Sequence, residues 1–178
     1  MAEELKLNHV NLAIKKKFRD KKLIFGRGLV GSKIVFVTEV PGLEETAQNK
    51  PITGHAEKLL YHLLRSVGID KNKVYITNVV KYHQPDRSMT AKEIKSQIPF
   101  LKEEIKSVGP KIVVTLGNAA LNGIGLRQPL DNIHGNTVNF GSYELLPTFH
   151  PESALKNPQI RALLEADFIK LKELIRAK

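Results

Sequence analysis

The chain has 178 residues, with 28 Lys and Arg against 18 Asp and Glu, a formal net charge of +10 and no cysteine. The length predicts one domain over residues 1–178, large enough to bury a core. Disulfides, thiolate zinc sites and a cysteine-held iron–sulfur cluster are excluded. No run approaches the ~18 consecutive apolar residues of a membrane span, so no membrane partner is expected. The opening MAEELKLNHV lacks the basic and apolar regions of an export signal, which makes a cytoplasmic protein the expectation. The basic balance points to a polyanion, most often nucleic acid, although a lysine-rich solvated surface gives the same count.

From the amino end, residues 3–20 read as a helix, with Leu5, Val10 and Ile14 in loose periodicity and a basic end, KKKFRDKK. KLIF (Lys22–Phe25) reads as a short strand before the turn GRGLVG. KIVFVT (Lys33–Thr38) is a continuous apolar run bounded by Gly and Pro, the pattern of a buried strand. It stops at EVPGLEE, where a basic chain gathers three carboxylates in a turn. HAEKLLYHLLRSVG puts Leu59, Leu60, Leu63, Leu64 and Val67 on one helical face, with Gly68 just past its end.

VYITNVV (Val74–Val80) is a second strand. Thr90 and Glu93 have capping-box spacing and open a helix towards Val108, with a kink expected at Pro99. KIVVTLG (Lys111–Gly117) is a third strand, after which Gly117 begins a short helix. NTVNFGSYELLPTFH gives an edge strand, a turn at Gly141–Ser142 and a fourth core strand ending at His150. Ile160, Leu163, Leu164, Phe168, Leu171 and Leu174 mark a closing amphipathic helix. The alternation predicts an α/β fold: a three-layer α/β/α sandwich around a mainly parallel sheet of about four strands.

Open α/β sheets bind ligands beyond the carboxyl ends of their strands. Here those ends carry Glu39, Glu44 and Glu45, then Asn78, then Gly117 and Asn118, then His150 and Pro151. Each has a plain structural explanation: a solvated acid pair, an Asn ending a strand, an Asn capping a helix, a His before Pro. Their joint arrival at one sheet edge is what marks a site. GRGLVG has G-x-G-x-x-G spacing but precedes a strand instead of following one, and no P-loop, H-E-x-x-H or G-x-S-x-G sequence occurs.

These segments resemble family 4 of the uracil-DNA glycosylases. KLIFGRGLVGSKIVFVTEVPGLEETAQNKPITGHAEKLL is similar to the family's first half, with its G-E-x-P-G and R-P-F-x-G motifs. VYITNVVKYHQPDRSMTAKEI, KIVVTLGNAAL and LLPTFHPESALKNP follow the later motifs in order, over Lys22 to Pro158. The resemblance implies that Glu39 and Glu45 are the candidate catalytic carboxylates and His150 the motif histidine. It implies Asn78 as the base-binding amide, with Ile52, Val40 and Asn118 beside the base. Pro151, Ser153, Ala154 and Leu155 fall on the family's DNA-inserting loop. Lys156, Lys81 and Arg87, with Arg127, are candidate phosphate contacts.

Three departures stand out. Tyr82 and Gln97 occupy two of the family's four cluster-binding cysteine positions, and the other pair falls in a shortened region. The cluster is structural in that family, so neither cofactor nor metal is expected here. The base-stacking Phe of R-P-F is Ile52, an apolar lid without an aromatic face. The first Gly of the motif is Thr38, and Val40 stands where some branches place Asp or Asn.

The expected activity is therefore monofunctional hydrolysis of the N-glycosidic bond of a deaminated base in DNA, most directly uracil, for base-excision repair, by a monomer. A carboxylate stabilises the sugar cation or orients water, and His150 stabilises the departing base. Hypoxanthine is the alternative base. The alternative from another class is a DNA-binding module that recognises the lesion and turns it over poorly.

Overall fold

The computed structural model describes every residue from Met1 to Lys178. In chain order the elements are α1 (Ala2–Lys17), β1 (Arg27–Gly28), β2 (Ile34–Thr38), α2 (Leu43–Gln48), α3 (Gly54–Ser66), β3 (Val74–Asn78), α4 (Ala91–Val108), β4 (Ile112–Leu116), α5 (Asn118–Gly123), α6 (Leu130–Ile133), β5 (Val138–Asn139), β6 (Glu144–Thr148), α7 (Pro151–Leu155) and α8 (Pro158–Ala177). A single 3₁₀ turn, Lys71–Lys73, precedes β3.

The sheet has six strands in the order β1-β3-β2-β4-β6-β5. The four expected core strands are its parallel centre. The two outer strands are two-residue antiparallel additions. β2, β3 and β4 are buried along their whole length, as parallel strands covered on both faces must be.

Side-chain alternation assigns the faces. Phe36 of β2 stacks on Phe168 of α8 with ring centroids 6.0 Å apart. Its neighbours in register, Ile76 and, one pleat on, Thr38 and Asn78, share that side of the sheet. Tyr75 and Thr77 face the other way and donate hydrogen bonds to Glu104 of α4, at 2.8 and 2.7 Å. Helices α3, α7 and α8 pack together, as do α1 and α4, giving the α/β/α sandwich. The chain leaves β2 towards β3 on one side and leaves β4 towards β6 on the other, so the switch point where a crevice opens lies between the carboxyl ends of β2 and β4.

Local differences from the sequence expectation have physical causes. KLIF is not a strand: the Ile24 N–H donates to the Lys81 carbonyl at 2.6 Å, outside any ladder. The edge strand starts two residues later at Arg27–Gly28, where Gly28 has φ +127° and a Cβ would lie 2.1 Å from the Val74 carbonyl oxygen. In α1 the buried positions are Leu7 and Ile14, two turns apart, and Leu5 faces solvent. α4 opens at the Thr90–Glu93 capping box and runs through Pro99 as one helix.

Candidate active site

The acidic turn is in fact a helix. Glu44 and Glu45 occupy the first turn of α2, where carboxylates meet the positive end of the peptide dipoles. Glu45 Oε2 accepts the Gly42 N–H at 3.1 Å, the return half of a capping box, and its Oε1 accepts from the Thr53 hydroxyl at 3.1 Å. Both oxygens of Glu45 are thereby engaged in holding α2 against the start of α3.

At the carboxyl ends of β2 and β6 lies a cavity of about 290 Å³ lined by Thr38, Glu39, Val40, Gly42, Glu45, Pro51, His150, Glu152 and Ser153. A larger cavity of about 680 Å³ sits by Gly109, Pro110 and Lys111 at the amino end of β4. It brings together no imidazole or amide, so size does not select the site.

Glu39 follows the last residue of β2, and the Gly117 main chain passes directly beside it. A Cβ on Gly117 would lie 2.3 Å from Glu39 Oε1 and 3.3 Å from His150 Cβ. Gly117 also has φ +96°, a conformation that disfavours any other residue. A glycine is what lets the carboxylate and the histidine approach the same stretch of main chain. Burial, with Glu152 nearby, raises the Glu39 pKa above the ordinary carboxylate value.

His150 caps α7: its Nδ1 accepts the Glu152 N–H at 3.1 Å. An accepting Nδ1 in a neutral ring places the proton on Nε2, and Nε2 stands 3.0 Å from Thr38 Oγ1. Burial lowers the His150 pKa, partly offset by Glu152 and Glu45. The ring is thus a neutral donor at pH 7, aimed along the cavity wall.

Asn78, opposite Thr38 in the β2–β3 register, donates from Nδ2 to the Glu39 carbonyl at 2.7 Å and to the Pro51 carbonyl at 3.1 Å. Its Oδ1 is buried without a partner. Directly behind, Lys81 Nζ pairs with Glu104 Oε2 at 2.5 Å and donates to Thr77 Oγ1 and, at 3.1 Å, to the Asn78 carbonyl.

The structure therefore brings together Glu39, Glu45, Val40, His150 and Ser153, with the Asn78 amide tied to the backbone of two cavity residues. Pro151 and Ala154 are buried in α7, whereas Leu155 and Lys156 are exposed at its end, Leu155 to 43 %. Other candidates lie elsewhere. Lys81 is 2 % exposed and saturated by Glu104, so it is no phosphate contact; a buried cation has to be paired. Ile52, also 2 % exposed, packs in the hydrophobic core and is not among the residues lining the cavity. Asn118 is exposed at the start of α5, outside the cavity lining. Arg87 lines an adjoining groove that shares Val40 and Gly42 with the site, but its guanidinium forks onto Glu93 at 2.6 and 2.8 Å. Arg127 is exposed.

Sequence reasoning passed over Thr38, Pro51 and Glu152 as site residues. Thr38 had been marked only as a departure from a motif, and Glu152 had a signal in its spacing, two residues beyond the histidine. Residues at the two matched cysteine positions do not fit an iron–sulfur cluster. Tyr82 packs on Phe18 with centroids 5.5 Å apart, and Gln97 Oε1 accepts the Lys81 N–H at 2.9 Å.

Comparison with known proteins gives the family. The family model described as the uracil DNA glycosylase superfamily matches residues 25–172. A type-4 uracil-DNA glycosylase of Saccharolobus solfataricus is 36 % identical over 173 residues, covering 91 % of this chain and 80 % of that protein. One of Sulfurisphaera tokodaii is 35 % identical over 160 residues, covering 84 % and 73 %. One of Thermotoga maritima is 36 % identical over 160 residues, covering 86 % and 83 %. The chain belongs to the uracil DNA glycosylase superfamily and is a DNA glycosylase, a hydrolase of N-glycosyl bonds.

Proposed function

We propose that this enzyme is a monofunctional glycosylase that removes uracil from DNA in base-excision repair, with Glu39 as the principal carboxylate and the His150 end of the cavity as the donor for the departing base. The observation that carries the reading is the Asn78 amide. Its two N–H groups are committed to main-chain carbonyls, which leaves Oδ1 as a buried acceptor without a donor. Such a group costs ~1–3 kcal/mol unless it is satisfied. The ring N–H of uracil supplies a donor there. Cytosine and adenine present a lone pair at the corresponding ring nitrogen and would leave it unpaired. Hypoxanthine also carries a ring N–H, so the choice of uracil is supported by the names of the relatives.

The chemistry follows from the groups at hand. Breaking the bond from C1′ to the base leaves positive charge on the sugar and an electron pair on the base. The Glu39 carboxylate stabilises the cation and takes the proton of the water that bonds to C1′. With both oxygens of Glu45 already engaged, Glu39 is the freer base, and burial raises its pKa above the ordinary carboxylate value. The base leaves as an anion stabilised by hydrogen bonding at the His150 end, an interaction typically worth ~2.7–4 kcal/mol. Extrusion of the nucleotide costs a few kcal/mol and is least at a mispaired base. Exposed Leu155 and Lys156 at the end of α7 are suited to prop the duplex and meet phosphate.

The test is base release from end-labelled strands carrying one uracil, one hypoxanthine or neither, single-stranded and duplexed, with abasic sites revealed in hot alkali. Cleavage at uracil is expected. Cleavage at hypoxanthine alone would move the activity to that base, and lesion-selective binding without cleavage would make the protein a recognition module.

A further inference from the structure

The His150–Thr38 contact carries one step more. The Nε2 proton of His150 is directed at Thr38 Oγ1, so in this geometry it is already spoken for and does not itself project into the cavity. Thr38 is 2 % exposed, and it lines the cavity beside Glu39. Its hydroxyl accepts from His150, and its own proton has no acceptor in the protein. It shares a sheet face with Asn78, its neighbour in register, whose Oδ1 likewise lacks a partner. The two open valences have opposite sense: one acceptor on Asn78 and one donor on Thr38. A carbonyl beside a ring N–H presents the complementary pair.

We propose that Thr38 is a catalytic residue of this enzyme. Its hydroxyl donates to the carbonyl oxygen of the departing base while accepting from His150. His150 acts through it, as the group that orients and polarises the hydroxyl. A hydroxyl that accepts a hydrogen bond is a better donor than a free one, so negative charge growing on the base strengthens both links. No proton changes owner in this chain: the electron pair of the broken bond leaves with the base, and the only proton transferred is that of the attacking water, to Glu39. The inference rests on the glycosylase reading above.

The test compares wild type, Thr38→Ser and Thr38→Val in single-turnover base release from uracil-containing DNA, with DNA affinity measured separately. Thr38→Val keeps shape and removes the donor. We expect release to fall about 10²-fold, the usual effect of one lost oxyanion donor, with affinity unchanged. Thr38→Ser, which restores the hydroxyl, should return to within a few-fold of wild type. In DNA-free protein the His150 Nε2–H resonance should be protected in wild type and Thr38→Ser and should exchange rapidly in Thr38→Val. That readout depends on the hydrogen bond and not on turnover. Wild-type activity with an unchanged or faster Thr38→Val would overturn this inference alone, because the hydroxyl would then be a spectator or a competitor for the histidine proton. No base release by wild type would overturn the glycosylase reading and this inference with it.

Discussion

Two polar clusters sit on opposite faces of β3, and they differ in what they leave open. On the α4 side, Lys81, Glu104, Tyr75 and Thr77 form a closed set, with Glu104 0 % exposed and its carboxylate shared by an ammonium and two hydroxyls. On the α3 and α8 side, Thr38, Glu39 and His150 line a cavity, Asn78 is tied to the backbone of two of its residues, and both the Asn78 acceptor and the Thr38 proton lack protein partners. Charge and burial occur in both. What separates a structural cluster from a candidate site here is unused hydrogen-bonding capacity facing space that a ligand can occupy.

The largest effects should come from opening the closed cluster. Lys81→Met alone strands Glu104 in the core, and a broken buried pair costs ~3–5 kcal/mol. Urea unfolding should show that loss, and Lys81→Met with Glu104→Leu should recover most of it. Full stability in the single variant would mean that the cluster is not closed. Within the site, His150→Ala should slow base release by ~10²–10³-fold, and loss of its cap on α7 should cost ~0.5–2 kcal/mol of stability.

Glu39→Gln should slow base release about 10²-fold or more while leaving the fold intact, and it should change the pH dependence of stability in a defined direction. The Glu39 carboxyl titrates higher in the folded protein than in the unfolded chain. The folded state therefore binds more protons between the two values, and stability falls as pH rises from about 4.5 upward through the folded value. Wild type should show that decline more steeply than Glu39→Gln, and base release should rise over the same interval as the carboxylate forms. His150 titrates lower than usual, so the ring stays neutral and release should show no further limb between pH 6.5 and 8.

Ile52→Phe separates core from lid. In the packed core the larger side chain should cost ~1–3 kcal/mol, visible as a lower urea midpoint. Tighter uracil-DNA binding without that cost would place the residue over the base after all. The smallest effect should be that of Arg87→Ala, since the guanidinium is solvent-facing and already held by Glu93, whose pKa it lowers to about 2. If the fork opens to meet a phosphate, the salt slope of DNA binding should fall by about one; otherwise it should not move.

Much of the fold was legible because buried parallel strands announce themselves as unbroken apolar runs. KIVFVT, VYIT, KIVVTL and ELLPT each mark a core strand, and the Thr90–Glu93 spacing marks the start of α4. The outer strands were harder to read: two residues carry no periodicity, and β1 depends on a close approach of Gly28 to Val74. Glu39, Asn78 and His150 stood out as candidates in the sequence because strand ends are where open sheets place ligands. Thr38 was hidden because its importance lies in a contact with a residue 112 positions away. The burial of Lys81 and Ile52 was hidden for a related reason. A lysine after a strand and an isoleucine after a proline look the same in sequence whether they face solvent or core, and here both face inward.

The account turns on which carboxylate does the chemistry, Glu39 beside the cavity or Glu45 in the cap of α2. The most direct measurement is single-turnover base release from uracil-containing DNA by wild type, Glu39→Gln and Glu45→Gln in parallel, with folding checked by circular dichroism. The account predicts that Glu39→Gln loses about 10²-fold or more, and that Glu45→Gln, which keeps a side chain able to cap α2, loses far less. Equal rates for wild type and Glu39→Gln, or a collapse confined to Glu45→Gln, would contradict it.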